Sequence, residues 1–341
     1  MEKNILNQKL LNNVSEYTTD EDEYLLKSEN NRLTTFPIKN PLIWRAYEVQ
    51  QGLFWTAKEI DFSKDYEDFK KLNSNEQHFI KMVLAFFSSA DTIVNINIGE
   101  RFAKDVKIRE AIIVYNWQKM IEDIHSQVYS LQIENIVKDA EEKEKLFNAV
   151  ENFDCISEKA GWAVKWIESK DCFARRLLAF AIVEGVFFSG SFCAIFWLKK
   201  RNLMAGLCNS NELIARDEGE HLKFAVLLYS LLKYKLHESD VHAMIYEAVN
   251  IEIKFITESL PCSLLGMNSD LMTEYIKYVS DRLLVDLGYN KFWNATNPFD
   301  FMESISLEGK KNFFEGRPTQ YQKASVLNKT IEHTFNFVED F

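Results

Sequence analysis

The chain has 341 residues, a net charge of −11 at pH 7, and only 11 glycines and 5 prolines. An acidic chain is poorly suited to binding nucleic acid through its phosphates, so we expect no nucleic-acid partner. No proline lies between Pro41 and Pro261. This scarcity of turn residues argues against β-sandwich and α/β folds and predicts an all-α protein.

Residues 1–40 are polar and have no sustained hydrophobic period. We predict a flexible N-terminal extension that ends near Pro37 and Pro41. The first residues lack the profile of a signal peptide, and the five cysteines have no CxxC spacing. Both features favour a reducing compartment, and we expect a cytoplasmic protein.

A helical domain is predicted over residues 41–312. Ser74 and Gln77 have the spacing of a capping box, ahead of a first long helix over residues 78–101. The other helices are predicted over residues 106–137, 140–153, 157–169, 174–200, 209–236, 239–259 and 269–287.

One predicted helix is apolar enough to resemble a membrane span. Residues 177–198 are almost continuously apolar, with basic residues on both sides. Glu184 lies inside this run, and a lone carboxylate within a membrane is costly. We therefore favour a central helix buried among other helices and expect no membrane partner, with the spanning helix as the alternative.

Two predicted helices contain the pattern Glu-x-x-His. The pairs are Glu122 with His125 and Glu218 with His221. Residues three apart lie on one helix face, so each pair could bind one ion. A single pair of this kind is more often a solvated ion pair.

Two further carboxylates occupy apolar helix faces. Glu184 lies in the most apolar helix, and Asp91 lies at the far end of the apolar face of the 78–101 helix. A carboxylate from each of two helices, together with Glu-x-x-His from each of two others, is the ligand set of a dinuclear site in a bundle core. Two divalent ions would balance four carboxylates, and oxygen and imidazole donors suit iron or manganese. The residues favour a metal pair, with ordinary ion pairs as the alternative.

A tyrosine shares the predicted ligand face. Tyr129 lies four residues after His125. Apolar residues share the ligand faces of the other helices: Phe188, Phe192 and Ile214. They could exclude water from an oxidised tyrosine, although a tyrosine on a core face more often serves packing alone. Asp217, next to Glu218, could orient a metal-bound imidazole or lie on the helix surface.

The C-terminal residues 313–341 show no helical pattern and are predicted to form a flexible tail. Phe335, Phe337 and Phe341 alternate there with polar and acidic residues. A frayed terminus is the common case, but apolar anchors in a flexible segment often bind a partner.

Five segments together resemble one protein family. They are FWTAKEIDFSKD (54–65), MIEDIHSQVYSLQI (120–133), AIVEGVFFSGSFCAIFWLKKR (181–201), SNELIARDEGEH (210–221) and NPFDFMESISLEGKKNFFEGR (297–317). Over residues 36–341 the chain resembles the small, radical-generating subunit of class I ribonucleotide reductase, of the eukaryotic and viral type. The resemblance implies a ferritin-like helical bundle that forms a homodimer. It also implies docking to a large subunit that reduces ribonucleoside diphosphates to the deoxyribonucleotides used in DNA replication.

The resemblance further implies two iron ions, oxo-bridged when oxidised, with manganese as a possible replacement. One ion would be bound by Asp91, Glu122 and His125, and the other by Glu184, Glu218 and His221. The two glutamates of the Glu-x-x-His pairs would bridge the ions.

Tyr129 matches the family's radical tyrosine, and its implied pocket is formed by Phe188, Phe192 and Ile214. Trp55, Asp217 and His125 match the internal relay for electrons and protons. Tyr321 matches the residue that passes the oxidising equivalent out of the subunit. The terminal FNFVEDF, with Phe335, Phe337 and Phe341, is similar to the peptide that docks the large subunit.

Two other classes of protein have comparable helices and ligands. One is an iron-handling protein of the ferritin type, and the other is a helical scaffold without enzymatic activity. An iron store has no use for the Trp55 segment or the tail that contains Tyr321. In a scaffold the Glu and His pairs would be ordinary ion pairs, and the metal content of the purified protein would distinguish it.

Overall fold

All regular structure is helical in the computed structural model, which describes residues 20–259 and 267–302 and contains no strand within these ranges. The helices are α1 (Pro41–Gly52), α2 (Asp65–Phe69), α3 (Ser74–Asn97), α4 (Arg109–Ile136), α5 (Ala140–Phe147), α6 (Ala149–Asn152), α7 (Asp154–Glu168), α8 (Phe173–Ile182), α9 (Ser189–Lys200), α10 (Ala205–Leu231), α11 (Glu238–Ser259) and α12 (Ser269–Asp286). The prediction of an all-α protein is confirmed.

Shorter turns complete the chain path. A π-helical turn, Val183–Phe187, joins α8 to α9, and we call it the π turn. A second π-helical turn, Ile98–Phe102, continues α3 into the short helix Ala103–Asp105. Four 3-10 turns precede α2: Asp20–Asp22, Tyr24–Leu26, Ser28–Asn30 and Ala57–Glu59.

The capping box of α3 lies one residue before its predicted position. Asn73, not Ser74, is the N-cap, and its side chain accepts from the backbone N–H groups of Asn75 and Glu76 at 3.0 Å. The Glu76 side chain in turn accepts a hydrogen bond from the Asn73 N–H at 2.9 Å. Gln77 instead donates to the carbonyl of Leu72 at 3.0 Å, which lies in the preceding turn. The prediction placed on Ser74 and Gln77 was wrong because Asn73 and Glu76 satisfy the same pattern.

Helix α10 begins at Ala205, before the predicted start at residue 209. Its first free N–H groups, those of Gly206 and Leu207, donate to the Asp65 carboxylate at 2.9 and 2.7 Å. A Cβ atom on Gly206 would lie 2.5 Å from the Asp61 carbonyl oxygen, so glycine is required for this approach. The cap comes from a distant part of the chain, and local patterns cannot reveal it.

The most apolar helical stretch forms the centre of the bundle. Two helical segments, Ser74–Asp105 and Phe173–Lys200, have the length and composition of a membrane span. In Phe173–Lys200 the most apolar 18-residue window is wholly buried by the rest of the protein. This is the arrangement of a core helix.

Residues 20–40 contact the bundle at several points. Leu25 is fully buried, and its carbonyl accepts from the Lys107 N–H at 2.7 Å. The carboxylate of Glu23 accepts from the N–H groups of Lys233 and Tyr234 at 2.8 and 3.0 Å. The flexibility of the predicted extension stays a prediction, and its residues 1–19 lie outside the described ranges.

Four helical segments meet around one region of the core. Helix α3 packs along α4, while α10 contacts α4, α8 and the π turn. The sides that face one another carry the acidic residues and histidines singled out above. This packing decides the geometry of the site.

Candidate metal centre

All six predicted metal ligands meet in the bundle core. They come from α3 (Asp91), α4 (Glu122 and His125), the π turn (Glu184) and α10 (Glu218 and His221), and all are buried. The ligand atoms fall into two overlapping groups, each within 4.8 Å. One group is Asp91, Glu122 and His125, and the other is Glu122, Glu184, Glu218 and His221. Glu122 belongs to both groups.

The glutamates of the two Glu-x-x-His pairs each approach both imidazoles. Glu122 places Oε2 3.3 Å from Nδ1 of His125 and Oε1 3.0 Å from Nδ1 of His221. Glu218 places Oε1 3.0 Å from Nδ1 of His125 and Oε2 2.9 Å from Nδ1 of His221. Each carboxylate therefore presents one oxygen to each half of the site, which is the arrangement of a bridging ligand.

Several carboxylate oxygens in the cluster need a cation. Within the described ranges, neither oxygen of Asp91 nor Oε2 of Glu184 has a hydrogen-bond partner, although all are buried. Burial and the neighbouring carboxylates raise the pKa of Asp91 and of Glu184 well above the usual values. Buried polar atoms without partners are costly, and a bound cation would supply the missing partner. The residues therefore fit a dinuclear metal site.

The pKa of His221 is also raised, but for an imidazole a raised pKa favours the charged form. Burial lowers the pKa of His221, but Glu122 and Glu218 outweigh it and raise this pKa to about 10. The pKa of Glu218 is held far below its usual value because the two imidazoles outweigh the effect of burial. The cluster thus attracts positive charge, which metal ions would provide in place of protons.

Asp217 lies within the protein and connects the cluster to Trp55. Its Oδ2 atom lies 3.2 Å from Nε2 of His125 and accepts from Nε1 of Trp55 at 2.7 Å. The Trp55 and His125 rings stack with centroids 6.1 Å apart. The surface position that the sequence left open for Asp217 is wrong, since its side chain is only 6% exposed. An imidazole whose Nδ1 faces a metal and whose Nε2 faces a carboxylate is held in a defined orientation.

Tyr129 is completely buried beside the cluster. Its hydroxyl donates to Oδ1 of Asn211 at 2.9 Å. Its ring stacks on Phe87 with centroids 4.5 Å apart and planes 2° from parallel. Phe188 and Phe192 lie against the same Phe87 ring, with centroids 5.5 and 5.1 Å away. Ile214 is also fully buried.

Three residues near the cluster were not singled out from the sequence: Phe87, Gln118 and Asn211. Gln118 donates to Oε1 of Glu184 at 3.1 Å. All three precede a predicted ligand on its own helix by four or seven residues, a spacing that places them on the ligand face. This signal was available, but it cannot distinguish a neighbour of the site from ordinary core packing.

The tail residues Tyr321, Phe335, Phe337 and Phe341 lie outside the described ranges. The predicted domain end at 312 and the predicted tail 313–341 lie there too, so both stay predictions.

Comparison with known proteins agrees with this geometry. Residues 32–298 match the family described as "Ribonucleotide reductase, small chain". The ribonucleoside-diphosphate reductase small chain of Nicotiana tabacum is 53% identical over 324 residues, covering 94% of this chain and 98% of that protein. Subunit M2 of Rattus norvegicus is 49% identical over 322 residues, covering 94% of this chain and 83% of that protein.

A solved structure also matches. The ribonucleotide reductase Rnr4 homodimer of Saccharomyces cerevisiae superposes with a TM-score of 0.75 at 36% identity, covering 84% of this chain and 92% of that one. The bundle, the buried carboxylate and histidine cluster and these relatives lead to one conclusion. The chain belongs to the small-chain family of ribonucleotide reductase, an oxidoreductase.

Proposed function

We propose that this subunit binds two iron ions and forms a tyrosyl radical at Tyr129, whose oxidising equivalent passes to a large subunit that reduces ribonucleoside diphosphates. The observation that carries the proposal is the fully buried Tyr129 beside two groups of ligand atoms that share Glu122. Family membership argues against an iron store or a scaffold without activity.

Asp91, Glu122 and His125 would bind one ion, and Glu184, Glu218 and His221 the other. When bound, an iron pair supplies the reductive activation of dioxygen and the oxidising power to remove one electron from a phenol. Manganese is the alternative metal, because the same oxygen and imidazole donors suit it.

The surrounding residues would protect the oxidised ring. Phe87 covers one face of Tyr129, and Phe188 and Phe192 pack behind Phe87. With Ile214, which is also fully buried, they would form an apolar surrounding that keeps water and reductants away. An oxidised tyrosine persists only where such molecules are excluded.

Trp55, Asp217 and His125 would carry the equivalent away from the metal centre. Two short contacts, 2.7 and 3.2 Å, join the indole to the imidazole through one carboxylate oxygen. Tyr321 and the docking tail would continue the route to the large subunit. We further propose that the subunit is a homodimer, because the yeast relative is one. We place it in the cytoplasm because its cysteines have no CxxC spacing.

Low-temperature electron paramagnetic resonance tests the proposal directly. Ferrous iron and oxygen are added to metal-free protein, and we expect a tyrosyl signal that is lost in Tyr129→Phe. Tyr115→Phe is a matched control, because Tyr115 is equally buried on the same helix. Iron uptake without a radical in the unmodified protein would contradict the proposal, and a radical seen only with manganese would change the metal.

A further inference from the structure

The hydroxyl of Tyr129 points to a residue outside the predicted ligand set. Asn211 lies on α10, seven residues before Glu218, and is completely buried. Its Oδ1 atom accepts the Tyr129 hydroxyl hydrogen at 2.9 Å. The contact joins the tyrosine's helix, α4, to the helix that carries two of the predicted ligands.

The orientation of the Asn211 amide follows from its second contact. Nδ2 lies 2.9 Å from the carbonyl oxygen of Leu207. A carbonyl can only accept, so the NH₂ group must face Leu207 and the amide oxygen must face Tyr129. Asn211 therefore accepts from the phenol and has no N–H directed at it.

Asp65 fixes the backbone to which Asn211 is attached. Its Oδ2 atom accepts from the Leu207 N–H at 2.7 Å and from Nε2 of Gln132 at 2.9 Å. Gln132 is three residues after Tyr129 on α4. The hydrogen bonds thus run from Tyr129 through Asn211, Leu207 and Asp65 back to Gln132 on the tyrosine's own helix.

We propose that Asn211 is a positioning residue for Tyr129, an amide locked as a hydrogen-bond acceptor that orients the reduced phenol. The proposal rests on the radical function inferred above. An amide oxygen is too weak a base to take the phenol proton at neutral pH, so Asn211 accepts a hydrogen bond but not the proton. In this orientation Asn211 has no hydrogen to donate to a phenoxyl oxygen.

Infrared spectroscopy of metal-free protein tests the reduced state. With tyrosine carrying ¹³C at the hydroxyl-bearing ring carbon, the difference between each protein and its Tyr129→Phe version isolates the C–O stretch of Tyr129. We expect this band to shift in Asn211→Leu and to stay in place in Asn135→Leu. Asn135, on α4, is a matched control because its side-chain amide also donates to a backbone carbonyl, that of Phe62 at 2.9 Å. An identical band in the unmodified and Asn211→Leu proteins would overturn the proposal.

High-field paramagnetic resonance tests the oxidised state. The largest g value of a tyrosyl radical falls when a hydrogen bond reaches its oxygen, so we expect the same value in unmodified protein and Asn211→Leu. A higher value in Asn211→Leu would mean that Asn211 donates to the radical, which contradicts the locked orientation. Asn211→Ala provides the same two readouts if the leucine variant does not fold. If no protein forms a radical, the function proposed above fails, while the infrared result still decides the role of Asn211.

Discussion

At the scale of single residues, the site depends on side chains that each contact more than one partner. Asp217 accepts from Trp55 with the same Oδ2 atom that lies 3.2 Å from His125. Its Oδ1 atom lies 3.2 Å from the guanidinium of Arg216, which also donates to the Leu53 carbonyl at 2.7 Å. The carboxylate is therefore held from both sides, and the indole and imidazole keep a fixed separation.

Replacing Trp55 by phenylalanine should separate radical formation from radical transfer. The ring volume is largely kept, but the N–H that contacts Asp217 is lost. We expect an unchanged radical yield and a fall in turnover with the large subunit of at least about tenfold, the lower end of the effect of losing a partner around a metal site. Turnover assays alongside spin quantification measure both.

Trp162→Phe is the matched control for this substitution. Trp162 is also buried, and its indole N–H has no hydrogen-bond partner within the described ranges. Its replacement should leave turnover and radical yield unchanged. Full turnover in Trp55→Phe would remove Trp55 from the proposed route.

At the scale of secondary-structure elements, the π turn is supported from outside its own helix. Glu184 lies in this turn, where the regular backbone pattern of the helix is interrupted. The carbonyl of Phe187, at the end of the turn, accepts from Nζ of Lys159 on α7 at 2.8 Å. Lys159 also forms a fully buried ion pair of 2.6 Å with Glu252 on α11. Lys159 on α7 thereby connects α11 to the π turn that carries Glu184.

Removing one member of this ion pair should destabilise the protein more than removing both. Burial lowers the pKa of Lys159 to about 8, so the amine still carries its proton at pH 7. Lys159→Met would leave Glu252 buried without its cation, and we expect the free energy of unfolding at pH 7 to fall by about 3 to 5 kcal/mol. Chemical denaturation measures this change.

The double variant Lys159→Met with Glu252→Leu is the control for this prediction. It removes both charges, and its stability should lie closer to that of the unmodified protein than the single variant does. A single variant as stable as the unmodified protein would mean that the pair does not support the π turn.

At the scale of the whole molecule, the proposed radical must leave a closed core. Tyr129 and the six predicted ligands are all buried, so a radical formed at Tyr129 could not contact a substrate directly. The terminal phenylalanines are the sequence feature best suited to binding a large subunit, because buried aromatic anchors dominate the energy of such contacts.

Deleting residues 335–341 should leave the radical intact and abolish turnover. The deletion removes the proposed docking segment FNFVEDF and none of the residues of the buried cluster. Spin quantification and turnover with the large subunit measure the two properties. Replacing Phe335, Phe337 and Phe341 together by alanine keeps the length of the tail and should have the same effect. Undiminished turnover in either variant would rule out docking through this segment.

The sequence by itself determined the helical class, most helix positions and the residue types of the ligand set. Glu122 with His125, and Glu218 with His221, are neighbours within one helix, so a period of 3.6 residues is enough to place each pair on one face. Asp91 and Glu184 were identifiable because carboxylates are costly in apolar helices unless they are paired.

Only the tertiary structure decided which of these side chains meet. The cap that Asp65 supplies to α10, the acceptor that Asn211 offers to Tyr129 and the contact of Lys159 with the π turn each join residues far apart in the chain. Hydrophobic periodicity determines which face of a helix is buried, but not which neighbour that face meets or at what height along the helix. Those choices depend on how the whole bundle packs, and the partners of the site residues follow from them.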